Sequence, residues 1–98
     1  MKYSAIYLPT ANRDIVRIDE ALTDYQNKAM RLFQEIERKV LNLEDNPYMY
    51  PVYPLRSKYR YIVLDDHLLF YIVDDGERKV KVFRVLYSKM DILSQLDE

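Results

Sequence analysis

The strongest pattern in the chain is a run from Tyr59 to Tyr87, rich in aromatic and β-branched residues and broken by two acidic clusters. Asp65-Asp66 and Asp74-Asp75-Gly76-Glu77 divide it into Tyr59–Leu64, His67–Val73 and Lys79–Tyr87. These read as three antiparallel strands in a row. Asp-Gly between two β-rich runs signals a hairpin, because glycine takes the positive φ such a turn needs. Alternation sets Tyr59, Tyr61 and Val63 opposite Arg60, Ile62 and Leu64. In the third strand it sets Val80, Val82, Arg84 and Leu86 opposite Lys81, Phe83, Val85 and Tyr87. If Arg60 and Arg84 share a face, that face is the candidate site.

Earlier in the chain, Lys2–Leu8 predicts a short strand with apolar residues on both faces, which suits an interior position. Pro9 ends it, and Thr10 can cap a helix. Ala11, Ile15, Ile18, Leu22 and Tyr25 recur at spacings of four and three, so the first helix is expected from Ala11 to about Tyr25. Ala29, Leu32, Phe33, Ile36, Val40 and Leu43 form the stripe of a second helix over about Asn27–Leu43. The two stripes form a helix hairpin that needs a sheet to cover. Asn46–Leu55 carries three prolines and reads as a connector whose tyrosines cover the core edge. Ser88–Leu96 can form one or two helical turns with Ser88 as N-cap. The expected fold is α+β, β-α-α-β-β-β(-α), with an antiparallel-rich four-stranded sheet packed against the N-terminal helix hairpin.

With 98 residues, 49% hydrophobic and 32% charged, the chain makes one domain with one modest core. It has no Cys and a single His, which excludes a disulfide framework and a thiolate or histidine zinc site. No cofactor is expected. The N-terminus lacks a signal-peptide pattern and no apolar run approaches the ~20 residues that span a membrane, so a cytoplasmic protein is expected. Net charge is −1, giving no global attraction to nucleic acid. The basic excess lies in the C-terminal half: Arg56 to Lys89 carries eight basic and five acidic residues. Positive charge on outer strands also protects sheet edges, and charge alone favours that plainer role.

Metal-free RNA cleavage needs a cation at the phosphate and groups that move protons at the 2′- and 5′-oxygens. Arginine suits the first task because its fork bonds two oxygens at once. Arg60 and Arg84 are the candidates here, with Arg56, Lys58 and Lys81 as further cations for a substrate or target. Tyr87 and Lys89 are the candidates for proton transfer, with His67 a distant third that reads as a turn residue.

The ordered set "IYLPTA", "LEDNPYMYP", "YRYIVLDDHLLFYIVDD" and "KVFRVLYSKMDI" resembles the RelE/ParE superfamily of bacterial type II toxins along nearly the whole chain. The resemblance implies a small toxin silenced by a cognate antitoxin, in a toxin–antitoxin hetero-oligomer. It implies a groove between helix hairpin and sheet where the antitoxin lays an amphipathic helix or an added strand. RelE-like members enter the ribosome and cut mRNA; ParE-like members poison DNA gyrase and cut nothing. Arg60 falls where RelE-like enzymes carry a basic residue, and Tyr87 near where related toxins carry a His or Tyr. His67-Leu68-Leu69-Phe70 stands where such enzymes carry an arginine, and Lys89 stands alone where they carry a basic cluster and a late tyrosine. Three readings follow: a ribosome-dependent mRNA endonuclease using Arg60, Arg84, Tyr87 and Lys89; a gyrase inhibitor touching its target through Arg84, Lys89 and the C-terminal segment; and a weakly toxic protein kept mainly as antitoxin partner.

Overall fold

In the computed structural model, which describes residues 2–97, two helices follow a first strand, and three strands and a short helix complete the chain. The elements are β1 (Ser4–Tyr7), α1 (Pro9–Ala21), α2 (Gln26–Leu43), β2 (Arg60–Leu64), β3 (His67–Asp74), β4 (Lys79–Tyr87) and α3 (Ile92–Leu96). The strands form one sheet in the order β1-β4-β3-β2. β2, β3 and β4 are antiparallel neighbours, as alternation predicts, while β1 joins β4 in parallel. The α+β class and the sheet behind a helix hairpin match the expectation.

β1 differs from it: the strand lies at the sheet edge, not inside. Its outer backbone donors are covered by Glu44, whose carbonyl accepts from Tyr3 N and whose carboxylate accepts from Ala5 N, both at 2.9 Å. A half-buried edge whose donors are covered in this way accommodates apolar residues on both faces. α1 begins two residues early, with Pro9 at its first position and Leu8 as an N-cap that makes no side-chain bond. Proline fits there because the first helical N–H has no partner in any case. Thr10 is therefore no cap; its hydroxyl donates to the Phe83 carbonyl at 2.7 Å and ties α1 to β4. α1 stops at Ala21, where the Thr23 hydroxyl donates to the Glu20 carbonyl at 2.7 Å and takes an acceptor from the helix end. α3 starts late: Asp91, not Ser88, is its cap, accepting from Ser94 N at 3.3 Å.

The helices roof one face of the sheet over a core of Ala11, Leu32, Ile36, Val40, Leu43, Ile62, Leu64, Leu69, Tyr71, Val80, Val82 and Val85. Tyr71 spans this core, and its hydroxyl donates to the Pro47 carbonyl at 2.9 Å. The other face carries a smaller core of Tyr59, Phe70, Leu86 and Leu96, closed by Tyr53 of the connector and by α3.

β4 breaks the alternation expected of it. Phe70 pairs with Arg84 and Tyr71 with Val82, so Phe83 is the extra residue of a bulge. Val80 and Val82 face the helices; past the bulge that role passes to Val85, and Leu86 belongs to the opposite core. The β3–β4 turn also departs from expectation. Gly76 has no positive φ; Arg78 takes it, at 55°, and Asp65 takes 52° in the β2–β3 turn. A Cβ on Gly76 would meet only the Asp74 carboxylate, at 3.5 Å. Gly76→Ala is therefore expected to leave stability unchanged or to raise it by up to about 1 kcal/mol, through loss of unfolded-state entropy. A urea midpoint lower than wild type would show that this turn needs glycine.

Candidate functional site

The bulge at Phe83 decides where Arg84 goes. A regular strand would turn Arg84 to the same face as Val80 and Val82; past the bulge it lies buried between α1 and α3. Its Nε donates to Asp14 Oδ2 at 2.7 Å and its Nη2 to Asp14 Oδ1 at 3.0 Å, a two-pronged pair. Nη1 donates to the Gln95 carbonyl at 2.8 Å, and Nη2 also reaches Gln95 Oε1 at 3.3 Å. Asp14 Oδ2 accepts a further bond from Val85 N at 3.0 Å, next to the bulge. Three elements are thus pinned by one buried ion pair, and the guanidinium is fully engaged.

Beside that pair opens a cleft of about 320 Å³ between the C-terminal half of α1, the start of α2, the end of β4 and α3. Ile18, Ala21, Leu22, Val85, Leu86 and Met90 make its apolar walls. His67 lies opposite Tyr87 across the last β3–β4 rung, their rings edge to face at 5.8 Å. His67 is only 9% exposed. Among the described residues no hydrogen bond ends on its ring, yet neither nitrogen is sealed from the surface. Burial pushes its pKa below the usual imidazole range, against the pull of the neighbouring Asp66 carboxylate. The ring is therefore neutral at pH 7 and brings one donor and one acceptor to the cleft. Lys28 and Asp66 pair above it at 3.2 Å. Arg17 stands at the mouth, exposed and outside every ion pair among the described residues.

The other sequence candidates lie elsewhere. Arg60 is half-buried at the start of β2, its Nη1 donating to the Tyr50 carbonyl at 2.7 Å and its guanidinium 5.0 Å from the Tyr48 ring. The Tyr48 hydroxyl in turn donates to Asp75, as does that of Tyr3. Those bonds hold the Asp75 carboxyl below its usual range and push Tyr48 up to about 12. Lys81 pairs with Asp74 at 2.9 Å and Glu77 at 3.1 Å, at the far hairpin. Arg56 pairs with Asp97, just past α3. Lys58 sits 5.5 Å over the Tyr59 ring, and Lys89 is exposed just past β4. Arg60 pairs four residues from the rung of Tyr87, about 13 Å along the strands and two strand spacings away. Arg60 and Arg84 do not share a face or a partner, so of the four catalytic candidates only Arg84 and Tyr87 line one cavity.

A family model described as ParE toxin of type II toxin-antitoxin system, parDE, matches residues 5–92. The chain belongs to the ParE toxin family. Among curated proteins none matches it. Among solved structures, the toxin is similar to a chain of the RelBE2 toxin–antitoxin complex from Mycobacterium tuberculosis, with TM-score 0.66 and 18% identity over 89% of this chain and 99% of that one. It is also similar to a mutant of the E. coli toxin RelE in the free state, with TM-score 0.64 and 15% identity over 96% of this chain and 92% of that one. At such identities the likeness is one of fold.

Sequence reasoning missed Asp14 in the toxin's cleft and read His67 there as a turn residue, a distant third candidate for proton transfer. Asp14 falls on the apolar stripe of α1, three residues after Ala11 and four before Ile18, and an acid at such a position signals a buried partner. His67 opens β3 directly after a turn residue, so its burial follows from the cleft walls and left no local trace.

Proposed function

We propose that this toxin inhibits growth by binding a protein target, DNA gyrase, and not by cutting RNA. The observation that carries this reading is the fate of Arg84. A phosphate could reach its guanidinium only by displacing Asp14 and Gln95, and losing Asp14 leaves a buried charge uncompensated. The other cations named from the sequence do not line the cleft with Tyr87. Arg60, Lys81 and Arg56 are held by Tyr50, by Asp74 and Glu77, and by Asp97, at separate places on the fold. In-line cleavage requires the phosphate cation and the proton-transfer groups to meet at one reacting centre. The match to the ParE model supports the same choice. Lys89 and Met90, exposed beside the cleft mouth, are then target-facing residues of the C-terminal segment. A cognate antitoxin completes the module as a toxin–antitoxin hetero-oligomer.

The test is direct. Purified toxin is added to a gyrase supercoiling reaction and, separately, to a translation extract with a labelled mRNA. The expected result is inhibited supercoiling, weakened about tenfold or more by Lys89→Glu as for a target contact that matters, with mRNA left intact. Ribosome-dependent mRNA cuts that disappear with Tyr87→Phe, or unimpaired gyrase at saturating toxin, would overturn the proposal.

A further inference from the structure

We propose that Arg13 and Arg17 on α1 receive the phosphate backbone of the duplex DNA that gyrase holds, so that the toxin docks on the gyrase–DNA complex in preference to the free enzyme. The inference rests on the gyrase reading above and adds a second contact to it. Between α1 and β4 lies a hollow of about 300 Å³, lined by Thr10, Arg13, Asp14, Arg17, Phe83 and Arg84. It holds three guanidiniums against one carboxylate, in a chain whose net charge is −1. Asp14 and Arg84 cancel each other in their buried pair. Two positive charges remain, both on exposed side chains. Neither Arg13 nor Arg17 enters an ion pair among the described residues. Arg13 donates only from Nε, to the Pro9 carbonyl at 3.5 Å, the outer limit of a hydrogen bond, and its Nη atoms stay available.

Spacing and position turn these charges into a site. Arg13 and Arg17 stand one turn apart on one face of α1, with Cβ atoms about 5–6 Å from each other. Each guanidinium fork can hold two oxygens of one phosphate. The neutral lining brings no competing anion: the Thr10 hydroxyl is spent on the Phe83 carbonyl, and the Phe83 ring stacks on Tyr59 at 5.1 Å. Arg17 also lines the cleft that Met90 lines, so the hollow is continuous with the target-facing segment. A toxin seated on gyrase through Lys89 and Met90 therefore carries the α1 arginines alongside. Gyrase works on duplex DNA, whose strands each present a phosphate about every 3.4 Å of helix axis. Contacts to phosphates position a protein without reading the base sequence, which suits an inhibitor of an enzyme that acts along any duplex. An acidic patch on the gyrase protein would answer the same two charges, and leaving the DNA out separates the two cases.

The affinity of the toxin is measured for gyrase alone and for gyrase loaded with a DNA duplex, over a series of salt concentrations. Wild type is expected to bind the loaded enzyme about tenfold or more tightly than the free one. Arg13→Gln/Arg17→Gln should lose that advantage and bind the free enzyme within about twofold of wild type. On the loaded enzyme its plot of log affinity against log salt should be flatter by about 2, one for each phosphate contact removed. Its urea midpoint should stay at the wild-type value, because both side chains are exposed and outside every ion pair among the described residues. An equal loss on both forms of the enzyme would mean that the arginines meet protein; it would overturn the DNA contact and leave the gyrase reading intact. A wild type that binds both forms equally, or a double variant that keeps the full preference for the loaded form, would do the same. A wild type that binds neither form and leaves supercoiling unimpaired would overturn the gyrase reading and this contact with it.

Discussion

Asp14→Ala is expected to destabilise the toxin by about 3–5 kcal/mol, the range for removing one partner of a buried ion pair. The cost arises on the side that remains. Arg84, 7% exposed as a side chain, would keep its charge with only the Gln95 oxygens for company, and Val85 N would lose its acceptor beside the bulge. Since small domains are held by about 5–15 kcal/mol in total, a visible fraction of the chain would unfold in the cell. The double variant Asp14→Leu/Arg84→Met should recover about half of the loss, because similar apolar volume replaces both charges. It should stay short of wild type by about 1–3 kcal/mol, the cost of the orphaned Val85 N–H. Urea unfolding of the three proteins measures both steps. The result bears on function, since loss of growth inhibition in Arg84→Ala follows from unfolding alone. An Arg84→Ala protein with the wild-type urea midpoint and no toxicity would contradict this and return Arg84 to a direct role.

Where local chemistry decides structure, the chain was readable. β4 spans Lys79–Tyr87 as its pattern predicts, and the buried positions of α2 all fall on its apolar stripe, of which only Phe33 stays half-buried. The site was far less readable, because it depends on long-range events. The Phe83 bulge leaves no signature in a run of β-formers, yet it reverses the facing of every later residue in β4. Arg84 looked like a phosphate ligand because its partner lies 70 residues away on α1. Thr10 looked like a cap because its true acceptor, the Phe83 carbonyl, belongs to the same bulge. His67 carried too little weight since burial by three other elements cannot be seen from a turn-flanking position.

The second large effect is expected at Phe70, on the sheet face that the helix hairpin does not cover. Phe70 is fully buried in the middle of β3, with Tyr53 edge-on at 5.0 Å and Tyr59 edge-on at 6.4 Å. Tyr61 stacks at 6.4 Å, and Leu86 and Leu96 complete the cluster. Phe70→Ala should cost about 3–5 kcal/mol, the transfer of a ring plus the cavity it leaves. Loss of the aromatic contacts places it toward the upper end, since each edge-on pair adds about 0.5–1.5 kcal/mol beyond its area. The damage should not stay on that face. Leu96 anchors α3 in this cluster, and α3 supplies Gln95 to Arg84 and one wall to the cleft. Hydrogen exchange in α3 is therefore expected to rise in Phe70→Ala more than in α2, whose apolar stripe packs into the opposite core. Equal loss of protection in both helices would mean that the two cores unfold as one unit. A urea midpoint near wild type would show that this face carries no core at all, and that the cleft wall is held by the Arg84 and Arg56 ion pairs alone.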